Sequence, residues 1–416
     1  MKDITAILIN YTNPNFLHRA INSLNTIRTR LKSIIVLKEK KSIVDHTYNW
    51  IEKIEFIAIK EHDLRKTINQ IINQIESTYI FFLQNTEYVS PTLKVHSLNL
   101  PQTKEVMETI DHNNIHQPVL IRTLFLKKQP FFPIPFKEAL LPSWLSNINS
   151  SYRYVEKNIV KQARNDSSKN QIVKNEFIQK YQKDTETNNP SLAVVIANYN
   201  MEKYIETAIT SCLLQNEKPE QILIIDDGST DSSYEKIQKW NDKREVNIFH
   251  QENKGKAQAL NHILPNITSD FILELDADDW LDPDAISTIK KYLIHLDQDI
   301  SVLYGNLRKW KQLTNRDVLY KRIAKGMPVI KRKDLLNYHF PLGPRIYRSS
   351  TLKQVGGFPV IDFENGHLYE DVSVLNRLIN CSRIEYKDFT VYNVRDHSES
   401  ITKNNLSKWK DFIKTL

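Results

Sequence analysis

The sequence is short of glycine. Only eight of its 416 residues are Gly, and none precedes Gly228; an average chain carries roughly 7%. Collagen-like and Gly/Ser low-complexity chains are excluded at once. Cysteine is scarcer still. Cys212 and Cys381 make neither a disulfide framework nor a thiolate metal knuckle, so a reducing cytoplasm is the expected location. Long apolar runs are also missing: residues 79–83 and 192–197 are the best, far below the roughly 18 residues of a membrane span. The stretch 1–10 has Asp3 and Asn10 where a signal peptide needs an unbroken apolar core, and it reads better as a strand.

Acidic residues are under-represented in one half only. Residues 1–190 hold 26 Lys and Arg against 18 Asp and Glu, whereas residues 191–416 hold 31 of each. The basic charges are scattered rather than grouped on one helix face, which argues for a solvated surface and against a nucleic-acid partner. Peripheral contact with an anionic bilayer, or self-association through this half, stays open. Hydrophobic content of 40% with 25% charged residues suits two ordinary folded domains.

What is present is a regular alternation. In the second half, buried-type strands are expected over 192–197, 221–225 and 270–275, with helical patterns between them. Such alternation implies right-handed crossovers and a mainly parallel α/β sheet, with ligands beyond the carboxyl ends of its strands. The first half repeats the plan. Residues 5–24 align with 193–212, residues 69–91 with 261–283 with seven identities, and residues 118–133 with 344–359 with six. A duplicated fold is therefore expected: a non-catalytic copy over 1–150, a polar and partly helical connector over 151–190, and a catalytic domain over 191–416. The first copy keeps the apolar pattern but loses the acidic motifs. Lys38-Glu39-Lys40-Lys41 stands for Asp226-Asp227-Gly228-Ser229, Gln84-Asn85-Thr86-Glu87 for Asp276-Ala277-Asp278-Asp279, and Pro142-Ser143 for Glu370-Asp371. Gly356-Gly357 falls opposite Pro130-Phe131.

Three motifs carry the chemistry. Carboxylates at 276–279 end a buried strand, where they repel one another unless a cation or donors compensate; hard oxygen ligands of this kind suit Mg2+ or Mn2+ and a bridged diphosphate. A solvated turn would explain them equally well, since Asp282-Pro283-Asp284 follows. Asp226-Asp227-Gly228-Ser229-Thr230-Asp231 sets a carboxylate pair at a second strand end. Helix capping accounts for Asp231 but not for the pair. Asn253-Lys254-Gly255-Lys256 places ammonium groups at a helix start, suited to an anion.

Together "VVIANYN", "ILIIDDGSTDSS", "QENKGKAQALN" and "FILELDADDWLDPD", followed by "LKQVGGFP" and "YEDVSVLNRL", resemble the family 2 glycosyltransferases of the GT-A fold over residues 191–400. The resemblance implies that Asp227 binds the nucleotide base, with Ala197, Tyr199 and Asp226 lining the same pocket. It implies Asp276 on the ribose side, Asp278 as the main ligand of a Mn2+ or Mg2+ ion, and His397 as a late metal ligand. Lys256 would face the diphosphate. Asp371 would be the general base, with Glu370 beside it on the acceptor side, although both also fit the charge preference of a helix start. The basic stretch 321–333 would be a loop near the acceptor or diphosphate. The expected reaction is inverting transfer from a UDP-sugar to a hydroxyl of a bacterial surface glycan, such as a capsule, teichoic or spore-coat polymer. A sugar- or nucleotide-binding scaffold without turnover, and a nucleotidyltransferase, remain the rival readings.

Overall fold

Aliphatic runs bounded by polar turns become strands, and apolar residues at helical spacing become helices that cover them. The computed structural model describes residues 2–39, 48–163, 168–182, 190–336, 342–361, 369–397 and 408–414. The chain divides into two units, Met1–Gln182 with Thr314–Asp317, and Lys183–Leu313 with Val318–Leu416. Among the described residues no helix is long and apolar enough to cross a membrane.

The first unit contains β1 (Ile4–Ile9), β2 (Leu31–Lys38), β3 (Ile54–Ala58), β4 (Tyr79–Gln84), β5 (Glu87–Val89), β6 (Val106–Ile110), β7 (His116–Arg122), β8 (Arg153–Val155) and β9 (Val160–Gln162). The second contains β10 (Leu192–Asn198), β11 (Gln221–Asp227), β12 (Val246–Gln251), β13 (Phe271–Glu274), β14 (Trp280–Leu281), β15 (Ile300–Gln312), β16 (Val318–Ala324), β17 (Arg345–Arg348) and β18 (Arg383–Asp396). The first sheet runs β3-β2-β1-β4-β7-β6-β8, and the second runs β12-β11-β10-β13-β17-β15-β18-β14 with β16 on β15. Seven positions correspond one to one, and the directions match: β1 is parallel to β2 and β4 as β10 is to β11 and β13, while β7 and β17 run antiparallel to β4 and β13. The architecture is mixed α/β in two tandem copies.

Side chains repeat with the strands. Ser23 Oγ accepts the Val89 N–H at 2.9 Å, and Ser211 Oγ accepts the Leu281 N–H at 3.1 Å. The Asn69 amide clasps the backbone N–H and C=O of Phe131, both at 3.1 Å, as Asn261 clasps Phe358 at 2.8 and 2.7 Å. This pairing moves the sequence alignment by one residue. Phe131 answers Phe358, so Gln129-Pro130, not Pro130-Phe131, stands opposite Gly356-Gly357.

Three other expectations change. Counted from the starts of the helices Leu140–Ser146 and Glu370–Leu378, the buried Trp144, Leu145 and, just past the first helix, Ile148 match the buried Val374, Leu375 and Leu378. Leu140-Leu141, rather than Pro142-Ser143, therefore replaces Glu370-Asp371. The connector expected over 151–190 starts later, because β8 pairs with β6 and β9 with β5; together they replace the single long β18. The basic stretch is partly strand, since Lys321–Ala324 lies in β16 on β15. Lys40 and Lys41 lie outside the described residues.

Cys212 is buried and Cys381 exposed. Burial pushes the Cys212 thiol up to about 12.

Glu87, the counterpart of Asp279, is the carboxylate the first copy keeps. Its side chain accepts the Gln84 N–H at 2.9 Å, with Gln117 and Gln162 as further donors. Burial outweighs these bonds and pushes its pKa up to about 7. The folded state then binds this proton more tightly than the unfolded chain, whose Glu titrates near 4.5. Its contribution is fully present below about pH 4.5 and is lost as the pH rises to about 7, a span of about 3 kcal/mol. Glu87→Gln is expected to remove that slope, measured as the wild-type minus variant difference in urea-unfolding free energy between pH 4.5 and 7.5. A pH-independent difference would disprove the assignment.

Candidate active site

The polar motifs of the second unit gather at the carboxyl ends of β10, β11 and β13, where a parallel sheet presents its ligands. At the end of β11 the two aspartates face different ways. Asp226 is fully buried. Its carboxylate accepts from Asn198 Nδ2 at 2.7 Å and from the Ser229 N–H and Oγ at 3.0 and 2.6 Å, with His250 Nδ1 at 3.1 Å. With its oxygens taken up by these partners, Asp226 does not line an open surface as expected from the sequence, and Asp227 is buried as well. Asp227 accepts from Gln251 Nε2 at 2.7 Å and from the N–H groups of Lys254 and Gly255 at 2.9 and 2.8 Å. Two loops far apart in sequence are thereby docked. Gly228 makes the docking sterically feasible: its φ is +69°, and a Cβ there would lie 2.5 Å from the Asn253 nitrogen. Ala197 is half-buried opposite Ile225, and Tyr199 is exposed just beyond the end of β10.

Behind this rim lies a half-buried charge cluster built around the buried Glu274. Lys256 begins the helix Lys256–Ile263, and its Nζ lies 2.6 Å from Asp276, 2.8 Å from Glu274 and 3.2 Å from Glu370. Burial pulls Lys256 down, but these carboxylates outweigh it and raise it well above its ordinary value. Glu274 also receives the Arg345 guanidinium at 3.0 and 2.9 Å and the Tyr347 hydroxyl at 3.0 Å. Burial alone would raise Glu274; Arg345 and Lys256 instead hold it well below the carboxylate range. Arg345 Nη1 then reaches Asp371 at 3.4 Å. Burial raises Glu370, against the pull of Lys256 and with the push of Asp371 and Glu274. Asp276 meets the Tyr392 hydroxyl at 3.3 Å.

Sequence reading did not find Glu274, Arg345 or Tyr347. The signal was a lone carboxylate inside the apolar run Phe271-Ile272-Leu273-Glu274 and two polar residues on one face of β17, two positions apart. The first copy shows what the fold itself requires there. Lys256, Glu274, Arg345 and Tyr347 are answered by Leu64, Phe82, Val119 and Ile121, all buried and apolar. The first copy keeps the same architecture without such a cluster.

The third feature joins β13 to the end of β18. His397 Nε2 lies 2.8 Å from Asp278 Oδ2, and the His397 ring packs against Tyr204 at 4.9 Å between centroids. Arg395 ties the same turn, donating from Nε to the Asp278 carbonyl at 2.8 Å and from its N–H to Asp279 at 2.7 Å. The structure thus brings together Asp278 with His397, and Lys256 with Asp276, Glu370 and, through Arg345, Asp371. Glu274, Asp276, Glu370 and Asp371 share Lys256 and Arg345, while Asp278 and Asp279 lie near Arg395, and burial with the push of Asp278 and Asp276 raises Asp279 well above its ordinary value. Among the described residues no group of three or more His, Cys, Asp or Glu side chains forms a closed metal site.

The description "Glycosyl transferase family 2" matches residues 193–356, the segment that supplies these strand ends. The chain carries a family 2 glycosyltransferase domain. Glycosyltransferase GlyA of Streptococcus pneumoniae serotype 4 is 30% identical over 232 residues, 52% of this chain and 32% of its own length. Glycosyltransferase GlyG of the same organism is 27% identical over 239 residues, 54% of this chain and 78% of its own length. The match thus spans about a third of GlyA. Among solved structures, Staphylococcus aureus TarS 1–349 in complex with UDP-GlcNAc is 22% identical and covers 51% of this chain and 60% of its own, with a TM-score of 0.38. The matched segment begins at Ala193 and, apart from Thr314–Asp317, lies in the second unit, with Arg345 inside it.

Proposed function

We propose that the second unit transfers a sugar, with inversion, from a UDP-sugar to a hydroxyl of a bacterial surface glycan. The observation that carries this reading is the meeting of Asp278 with His397 beside a second acidic group, Glu370-Asp371, on its own helix. One pair suits a cation and diphosphate, the other an acceptor proton. Asp227 and the docked 253–255 loop form the base-side wall, Asp276 the ribose side. Asp278 and His397 would hold Mn2+ or Mg2+, which would supply charge neutralisation on the departing diphosphate. Asp371 accepts the proton of the acceptor hydroxyl as that oxygen bonds to the anomeric carbon and the bond from that carbon to the diphosphate oxygen breaks. Nucleoside diphosphate leaves from the opposite face, so one displacement inverts the centre. Lys256 and Arg345 keep the carboxylates in register.

The test is a screen of UDP- and GDP-sugars with Mn2+, Mg2+ or EDTA, read as released nucleoside diphosphate. Turnover is expected with a UDP-sugar and metal. EDTA, or Asp278→Asn, should reduce it by at least about a hundredfold, in line with loss of a charge-stabilising group. Release of pyrophosphate, or binding with no turnover under any condition, would overturn the proposal.

A further inference from the structure

The first unit, which lacks the acidic cluster, has a surface groove of about 580 Å3 between the helix Pro14–Ser23 and β5. Its polar wall is one helix face. Asn15 lies three and four positions before His18 and Arg19, and Asn22 four and three positions after them. Tyr88 forms the opposite wall, and among the described residues no carboxylate lines the groove. The side chains of the wall contact one another. The Arg19 guanidinium lies 3.7 Å from the centroid of the Tyr88 ring. Asn22 Nδ2 meets His18 Nε2 at 2.9 Å, and His18 Nδ1 meets the Tyr48 hydroxyl at 3.1 Å.

The second unit explains why the groove exists. At the position of Tyr88 it has Trp280, fully buried against Trp310 with ring centroids 5.8 Å apart. Trp310 comes from β15, which runs for 13 residues, whereas its counterpart β6 runs for 5. The shorter strand has no residue to place over Tyr88. The helix face has changed as well: His18, Arg19 and Asn22 stand where the second copy has Glu206, Thr207 and Thr210. The position that carries a carboxylate in one copy carries imidazole in the other, with a guanidinium beside it.

We propose that this groove binds an anionic glycan segment, a sugar or polyol unit bearing phosphate or carboxylate. A stacked guanidinium keeps its edge donors in one plane, the arrangement that grips two oxygens of such a group. Asn15, Asn22 and Thr26 supply amide and hydroxyl partners for sugar hydroxyls. The surplus of 26 basic over 18 acidic residues in 1–190 adds long-range attraction. The assignment is independent of the chemistry proposed for the second unit.

Affinity electrophoresis of the full chain through poly(glycerol phosphate), polygalacturonate or dextran tests it, with a duplex DNA competitor. One anionic glycan is expected to retard the chain; which of the two does so identifies the anionic group. Arg19→Glu is expected to weaken that binding at least tenfold, and Tyr88→Ala to weaken it in the same direction. Asn22→Asp, a nearly isosteric change, gives the same loss if Arg19→Glu folds poorly. Lys53→Glu makes the same charge change outside the groove and should leave binding unchanged, as should donor turnover in every variant. Equal loss in Lys53→Glu, equal retention on dextran, displacement by DNA at matched charge, or no retention on either anionic polymer would overturn the proposal.

Discussion

Replacing Glu274, Arg345 and Tyr347 together by Phe, Val and Ile is expected to yield a folded chain whose transfer rate has dropped at least about a hundredfold, the penalty of misplaced reacting groups. These are the residues the first copy carries at the same positions, within a core layer that packs Phe82 against Phe131 at 6.3 Å. Larger Phe offsets smaller Val and Ile, so the volume is nearly kept. Lys256 retains Asp276 and Glu370 as partners. Arg345→Met alone should behave very differently. It leaves the buried Glu274 carboxylate with Lys256 and Tyr347 only, and breaking one side of a buried pair destabilises by about 3–5 kcal/mol. Urea unfolding of the single and triple variants separates the two outcomes. A triple variant as unstable as Arg345→Met would make the cluster a structural necessity. An active triple variant would remove it from the mechanism.

Asp371→Asn is expected to lower kcat by about 10²–10⁴-fold, the usual weight of a positioned proton acceptor, with donor KM little changed. The amide keeps the shape of the carboxylate, so the helix Glu370–Leu378 should be undisturbed. Glu370→Gln should have a smaller effect and act on donor affinity, because Glu370 is turned toward Lys256 at 3.2 Å. The measurement is nucleoside diphosphate release with and without acceptor. Full activity in Asp371→Asn would move the base elsewhere.

How much of this was legible beforehand varies with range along the chain. Strand ends such as Asp227 and Asp278 declared themselves because an apolar run stopping at carboxylates is a local pattern. His397 was also in view, through the family likeness, and it does sit against Asp278. The duplication was readable from its strands, yet the alignment slipped in loops. Phe358 follows a glycine pair that has no visible counterpart, and only the Asn69 and Asn261 clasps identify its partner. β8 and β9 went unread because Arg153-Tyr154-Val155 and Val160-Lys161-Gln162 are three residues each, with no apolar run. The charge cluster was hidden for a deeper reason. Glu274, Arg345 and Lys256 look like ordinary charged residues until the sheet closes, and their energetics depend on partners 18 to 114 residues away.

The contrast between the two thiols gives the molecule a built-in reporter. Cys212 is inaccessible, and its raised pKa keeps it protonated near neutrality; maleimide reagents attack thiolates. Cys381 is exposed and follows the helix that carries Glu370 and Asp371 by three residues. One equivalent of a fluorescent maleimide should therefore label the wild-type chain at a single place. Its emission would report on the helix Glu370–Leu378 as ligands are added, with no engineered residue.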